Sequence, residues 1–286
     1  MNWYRAVLAG VLLAAAPMSV AEATSPQPGG RILYLQLTEG YGSGELLSAR
    51  PNGTGTVDHG LELSWGSSPD FSPDGTRIAY TFDTWDVRVR NTDGSDDRLL
   101  GQAPYGPSNP RWSPDGKWIA FESGSDIFKA DANATNGFEN VTNTFEVNEL
   151  QPAWSPGGAW IAAATYPGIH IYRADGSSPR TLTDLPDATR LDWSPDGRSF
   201  AVQASGDLWL VDARTGTTRQ LTDTPEFVEA SPVWSPDGRW LAYGRGDVIP
   251  ESSDFANPHI WLMTAAGTRA HSTGIAGVPT SWRARA

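Results

Sequence analysis

Trp112-Ser113-Pro114-Asp115-Gly116 recurs unchanged at Trp193-Ser194-Pro195-Asp196-Gly197 and at Trp234-Ser235-Pro236-Asp237-Gly238. Two variants share the pattern, Phe71-Ser72-Pro73-Asp74-Gly75 and Trp154-Ser155-Pro156-Gly157-Gly158. The serines stand at 72, 113, 155, 194 and 235, in steps of 41, 42, 39 and 41 residues. The residues after the aromatic spell a turn. Pro presets φ at the first corner, Asp tolerates the second, and Gly takes the left-handed position of a bulged hairpin.

The segment after each turn is also periodic. An apolar triplet comes first: Ile78-Ala79-Tyr80, Ile119-Ala120-Phe121, Ile161-Ala162-Ala163, Phe200-Ala201-Val202 and Leu241-Ala242-Tyr243. A second alternating run comes next, as in Ile169-His170-Ile171-Tyr172 and Leu208-Trp209-Leu210. A glycine turn such as Asp93-Gly94 or Asp175-Gly176 leads to a short closing strand such as Arg180-Thr181-Leu182-Thr183. Each unit reads as four antiparallel strands, named here first to fourth, with the aromatic on the first. No window beyond residue 23 carries a helical stripe.

A period near 41 with four strands per unit predicts a β-propeller. The blade count comes from the ends. Gly29-Gly30-Arg31-Ile32-Leu33-Tyr34 matches the end of a turn plus a second strand, and residues 45–48 and 56–58 supply a third and fourth. Pro279-Thr280-Ser281-Trp282 supplies the missing first strand. The expected fold is all-β, a six-bladed propeller of four-stranded blades. Its ring closes by pairing N-terminal strands with a C-terminal strand, so blade 1 is shared between residues 28–58 and 278–285. Closure removes the sheet edges that an open ring would expose.

The repeat resembles the Ser-Pro-Asp-Gly type of WD-repeat-like propeller of the TolB family, over about residues 28–285. In that family an α/β domain that contacts inner-membrane Tol partners precedes the propeller. Here only a few residues separate the leader from the first strand, so the resemblance is to the propeller part alone and a Tol-type role does not transfer. Peptidases of the prolyl oligopeptidase type carry similar propellers beside a hydrolase domain, which is also missing from this sequence.

Residues 1–23 read as a secretory signal peptide. Arg5 supplies the positive end, residues 6–16 an apolar run too short to span a bilayer, and Ala21-Glu22-Ala23 a small-x-small cleavage site. Residues 24–286 form the propeller. The expected protein is exported, periplasmic or extracellular, not inserted in a membrane once the leader is cleaved, and monomeric. The chain has 286 residues with 33 acidic against 21 basic side chains, a formal charge of −12. That surplus argues against a phosphate-backbone binder, which needs Lys and Arg to neutralise phosphates. With no cysteine, disulfides, thiol chemistry and Cys-ligated zinc are excluded.

The strand order sorts the connections onto two ends of the ring. First-to-second and third-to-fourth turns share one end, the turn face. Second-to-third hairpins and the crossovers between blades share the other, the loop face. The irregular segments, including 38–44 and an enlarged 245–258, all fall on the loop face, and binding residues concentrate on variable loops over a rigid scaffold. The binding candidates are Trp65, Trp85, Tyr105, Phe145, Glu149, Phe227 and Glu229. Most of the 13 tryptophans repeat with the blades and read as packing. Trp65 and Trp85 do not repeat, and could stack on a sugar or anchor a peptide. Glu149 and Glu229 hold equivalent crossover positions and are expected at the channel mouth, facing a cation or a basic side chain.

Catalytic signals are thin. His59, His170, His259 and His271 are scattered, and neither a His-Glu-x-x-His nor a Gly-x-Ser-x-Gly motif occurs. Residues 131–137 fit a Ca²⁺ loop poorly, because Gly137 comes one place late and Thr142 stands where a bidentate acid is needed. No cofactor, catalytic residue or metal ligand is expected, and nothing in the sequence supports Ca²⁺ in the channel. The expected function is a non-enzymatic scaffold that binds a protein or peptide of the cell envelope through the loop face. The alternative is a carbohydrate-binding protein or polysaccharide lyase that uses the central channel.

Overall fold

The structure is a computed structural model and describes residues 28–37, 42–64, 67–135, 137–144, 147–249 and 255–284. The leader lies outside these residues. The described residues hold 24 strands in six antiparallel sheets of four, and no helix. Five sheets run in chain order from first to fourth strand. The sixth, blade 1, takes its first strand from Val278–Arg283 and its other three from Arg31–Leu37, Ser43–Ala49 and Val57–Ser64. The first strands contact each other around the ring and so line its axis.

The serine, aspartate and glycine of the repeated turn each have a bonding role, and the proline fixes its φ. Ser113 Oγ donates to Asp115 Oδ1 at 2.6 Å and accepts from Trp118 N at 2.9 Å. Gly116 N donates to the Ser113 carbonyl at 2.9 Å, with φ of 69° at the glycine, a value that L side chains rarely adopt. The same contacts recur around Ser72, Ser194 and Ser235, all of them buried. The serine hydroxyl is the first cause holding the Asp74, Asp115 and Asp196 carboxyls below their ordinary range. In blade 4 Gly157 replaces the Asp, and Ser155 keeps its bonds to Trp160 N and Gly158 N without the carboxylate.

The core is a ring of wedges. Six apolar clusters each lie between two neighbouring blades. Ala120, Ile127 and Val141 of blade 3, for example, meet Trp154, Ile161, Ala163 and Tyr172 of blade 4. First-strand tryptophans fill these wedges: Trp112, Trp154, Trp234 and Trp282 are all buried. Polar stitches cross the same seams. Trp112 N donates to Asp70 Oδ2 at 2.9 Å and Trp234 N to Asp192 Oδ2 at 2.7 Å. Trp154 Nε1 reaches the Arg111 carbonyl at 3.1 Å.

The first strand breaks register at Asn109, Gln151 and Ser231, each with φ near +50° and each followed by a proline. Proline is tolerated there because the first strand is an edge strand, and the bulge bends it around the axis. The neighbouring blade caps two of these bulges: Gln151 N donates to Glu122 Oε2 at 2.6 Å, and Ser231 N to Gln203 Oε1 at 3.0 Å.

Ring closure follows the expected pairing, with Ile32 opposite Trp282 and Leu33 opposite Ser281. Trp282 Nε1 donates to the Gly29 carbonyl at 2.9 Å, and Arg283 Nη2 reaches the Asp70 carboxylate at 3.3 Å. A Cβ at Gly30 would fall 2.2 Å from the Arg283 carbonyl oxygen, so only glycine permits this approach. In two respects the fold departs from expectation: the fourth strand of blade 1 runs Val57–Ser64, past the expected end at 58, and the hairpin of blade 6 is extended. The expected loop 245–258 is paired strand at both of its described ends, since Arg245 pairs with His259, Asp247 with Ala256 and Val248 with Phe255.

Gly157 tests the turn directly. A Cβ there would meet nothing within 4 Å, and Ser155 waits beside it. Gly157→Asp should raise stability by about 0.5–1.5 kcal/mol, through a new serine–carboxylate bond and a stiffer unfolded chain. Urea denaturation measures it, and an unchanged or lower stability would show that the serine turns do not need their carboxylate.

Candidate functional site

The two ends of the ring are chemically different. On the turn face the central channel opens as a cavity of about 260 Å³, lined among others by Asp70, Arg111, Trp154, Asp192, Trp234 and Arg283. Its charged groups are bound into the frame. Asp70 accepts from Trp112 N and faces Arg283, and Asp192 accepts from Trp234 N. Arg111 donates to the Ser68 carbonyl at 2.7 Å and to Ser68 Oγ at 2.8 Å. Burial raises the pKa of Asp192 and lowers that of Arg111; outside this cavity, nearer the loop end of the same strand as Asp192, Arg190 is pushed down to about 10 by burial and then by Arg111. Sequence reasoning missed this set. The available signal was a charged residue just before the first-strand aromatic (Asp70, Arg111 and Asp192), where blades 4 and 6 carry Ala153 and Val233.

The loop face carries the exposed aromatics. Trp85 is 48% exposed in the second-to-third hairpin of blade 2, and Tyr105 is 75% exposed in the crossover to blade 3. Ala103 N donates to the Trp85 carbonyl at 2.8 Å, and Gly124 N to the Tyr105 carbonyl at 3.1 Å. The two side chains therefore rise from one bonded patch of backbone. Tyr105 also holds a positive φ of 69°, and its ring lies over Gly124, where an added Cβ would be 3.2 Å from Tyr105 Cβ. Phe227 is half-exposed at the entry to blade 6 and lies against the Arg245 guanidinium, 4.6 Å from the ring centroid. Phe82, Tyr166 and Val248 are exposed on the same face and were not singled out from sequence. Trp65 and Phe145 lie outside the described residues.

Glu149 and Glu229 correct the expectation of carboxylates open at the channel mouth: both are fully buried. The reason is a repeated crossover, Thr142-x-Thr144 before Glu149 and Thr222-x-Thr224 before Glu229. Each turns back on the hairpin of the preceding blade, so that Glu149 N donates to the Ser125 carbonyl and Glu229 N to the Gly206 carbonyl. Thr144 Oγ1 donates to Glu149 at 2.9 Å and Thr224 Oγ1 to Glu229 at 2.5 Å. The second partners differ. Tyr172 Oη donates to Glu149 at 2.6 Å, whereas Glu229 takes Arg245 Nε at 2.8 Å. Burial is the first cause raising the Glu149 pKa, and it raises the Tyr172 hydroxyl as well.

Exposed charge divides between the ends. Glu45, Glu62, Asp83, Asp184, Asp187, Asp223, Glu226 and Asp247 are exposed toward the loop face. Lys117, Arg198 and Arg239, which follow the repeated turns, and Arg50, Arg214 and Arg269, on third-to-fourth turns, are exposed toward the turn face. Among the described residues, no group of three or more His, Cys, Asp and Glu is arranged to hold a metal. No helix among them is long and apolar enough to cross a membrane.

Fold, repeat and closure define a six-bladed propeller with a mixed-charge, internally braced turn end and an acidic, aromatic loop end. The chain belongs to the TolB beta propeller domain family, whose sequence profile matches residues 63–248. It is 27% identical over 227 residues to the uncharacterized peptidase YuxL of Bacillus subtilis, covering 76% of this chain and 27% of that protein. It is 26% identical over 204 residues to an uncharacterized protein of Agrobacterium fabrum, covering 68% of this chain and 65% of that one. The chain thus spans about a quarter and just under two-thirds of these relatives' lengths. Among solved structures it superposes on TolB from Acinetobacter baumannii with a TM-score of 0.67 at 21% identity, over 90% of this chain and 67% of that one. A chain of the nidogen–laminin complex gives 0.65 at 13% identity, over 89% of this chain and 98% of that one. At these identities the structural likeness shows the fold.

Glu149 gives a pH test of its buried site. Its pKa is raised in the folded state, so its contribution to stability is fully present below the ordinary glutamate pKa and is lost as pH rises through the raised value. Glu149→Gln is neutral throughout and can still accept from Thr144 and Tyr172. Its stability relative to the native chain should be greater at pH 8 than at pH 4, measured by chemical denaturation at both. The opposite trend would show that the two hydroxyl donors outweigh the cost of burial.

Proposed function

We propose that this chain is an exported, non-enzymatic scaffold that binds a protein or peptide of the cell envelope through its loop face, and acts as a monomer. One observation carries the reading: Trp85, Tyr105, Tyr166 and Phe227 stand exposed at a single end of a closed, rigid ring. Exposed aromatics on a preformed surface are what protein interfaces use as anchors, because they bury much area at little entropic cost. Membership of the TolB beta propeller family supports a binding role rather than a catalytic one. Export rests on the leader read in residues 1–23.

The channel reading is less well supported. The carboxylates of the channel cavity serve as braces between blades, Asp70 accepting from Trp112 N and facing Arg283, and Asp192 accepting from Trp234 N. The peptidase name of the Bacillus relative belongs to a protein of which this chain spans 27%.

The test is affinity capture from envelope and secreted fractions with residues 24–286, followed by Trp85→Ala/Tyr105→Ala. Each aromatic anchor is worth about 2 kcal/mol. The double variant should release a partner that the parent retains, with circular dichroism unchanged. A partner held equally well by the variant, or none in either fraction, contradicts the assignment.

A further inference from the structure

The loop face carries a second feature beside its aromatics, an almost complete lack of cations. Among the described residues, the Lys and Arg side chains toward this end are Arg190, which is only partly exposed toward the channel, and Arg245, whose Nε lies 2.8 Å from Glu229. None of the exposed carboxylates at this end belongs to an ion pair among the described residues. The turn face carries acids as well, but beside cations: Asp115 pairs with Lys117 and Asp196 with Arg198, and although Asp74, Asp93, Asp175 and Asp237 form no ion pair among the described residues, Arg50, Arg214, Arg239 and Arg269 are exposed at the same end. Two residues along the strand from Phe227, Glu229 is fully buried and its Oε2 has no donor among the described residues.

A ring with acids of one sign at one end and mixed charge at the other produces a directed field. Such a field accelerates encounter with a partner of opposite sign and turns away a like-charged one. The exposed aromatics add the short-range half of the same recognition, since Lys and especially Arg side chains are attracted to Trp and Tyr ring faces. The protein already uses this contact internally: Arg245 lies between Phe227 and Trp261, at 4.6 and 4.7 Å from the ring centroids.

We propose that the loop face docks a cationic protein segment, one bearing several Lys or Arg side chains. The exposed carboxylates steer it, and Trp85 and Tyr105 take its side chains. This rests on the docking role given above to the same face and adds the chemistry of the partner. An acidic or neutral partner would bring no compensation for the unpaired carboxylates, and an acidic one would be repelled.

The experiment is fluorescence polarisation of the full mature chain against labelled peptides of equal length, one Arg/Lys-rich, one neutral and one Asp/Glu-rich. The cationic peptide should bind at least ten-fold more tightly than the other two, and should lose at least ten-fold between 50 and 300 mM salt, the behaviour of screened charge. Asp184→Asn/Asp187→Asn/Asp223→Asn/Glu226→Gln should weaken it several-fold. The turn-face set Asp93→Asn/Asp175→Asn, which removes charge but keeps an acceptor, should not. Equal binding of the acidic peptide, or an equal effect of the two charge sets, overturns the proposal. A captured partner that needs Trp85 and Tyr105 but is insensitive to salt would leave the docking role standing and the cationic chemistry refuted. A partner that ignores both aromatics would refute both.

Discussion

A blade of this protein has two apolar faces and can cover them only with its neighbours. No layer of helices lies over the sheets among the described residues, so each apolar cluster lies between two blades. Burial of this kind is satisfied only when the last blade meets the first. Everything else therefore depends on one antiparallel pairing, Arg31–Leu37 with Val278–Arg283. That pairing places Trp282 in the wedge between blades 6 and 1, together with Ile32, Tyr34, Val233 and Trp240. It also carries Arg283 to Asp70, whose carboxylate caps Trp112 in the next blade, so the seam is stitched into the rest of the ring.

Once the ring is closed, its two ends are constrained unequally. At the turn end every Ser-Pro-Asp-Gly residue has a bond to make or a dihedral to hold, and the channel charges serve as braces between blades. Little there can change without disturbing a seam. At the loop end the crossovers must return the chain to the next blade, as the buried Glu149 and Glu229 do, but the tips beyond them carry no such duty. The exposed aromatics stand on or beside those tips, and the carboxylates outside any ion pair stand at the same end. This inequality is the physical ground for assigning partner binding to the loop end.

The sequence made the architecture legible because the turn is chemically specific. Five spaced matches determine the strand direction, the partial units at 28–58 and 278–285 add the sixth blade and its closure, and the same logic sorts the loops to one end. Side-chain burial in the crossovers was not legible. Glu149 and Glu229 look like solvated acids until Thr144, Tyr172, Thr224 and Arg245 are seen to converge on them from separate strands. Phe82 and Tyr166 were missed for the opposite reason, since an aromatic beside a strand pattern reads as core, and only the hairpin geometry turns it outward. Arg111 and Asp192 carried a visible signal, charge in an apolar strand, whose meaning needed the contacts across the seam.

The central claim is that the partner meets the loop end and not the channel mouth at the turn end. Hydrogen–deuterium exchange of the mature chain, with and without its bound partner, reads this directly. The account predicts added protection in peptides spanning 81–86, 102–108, 164–168 and 222–228, with 113–117, 194–198 and 235–239 unchanged. Protection confined to the repeated turns around the channel would contradict it.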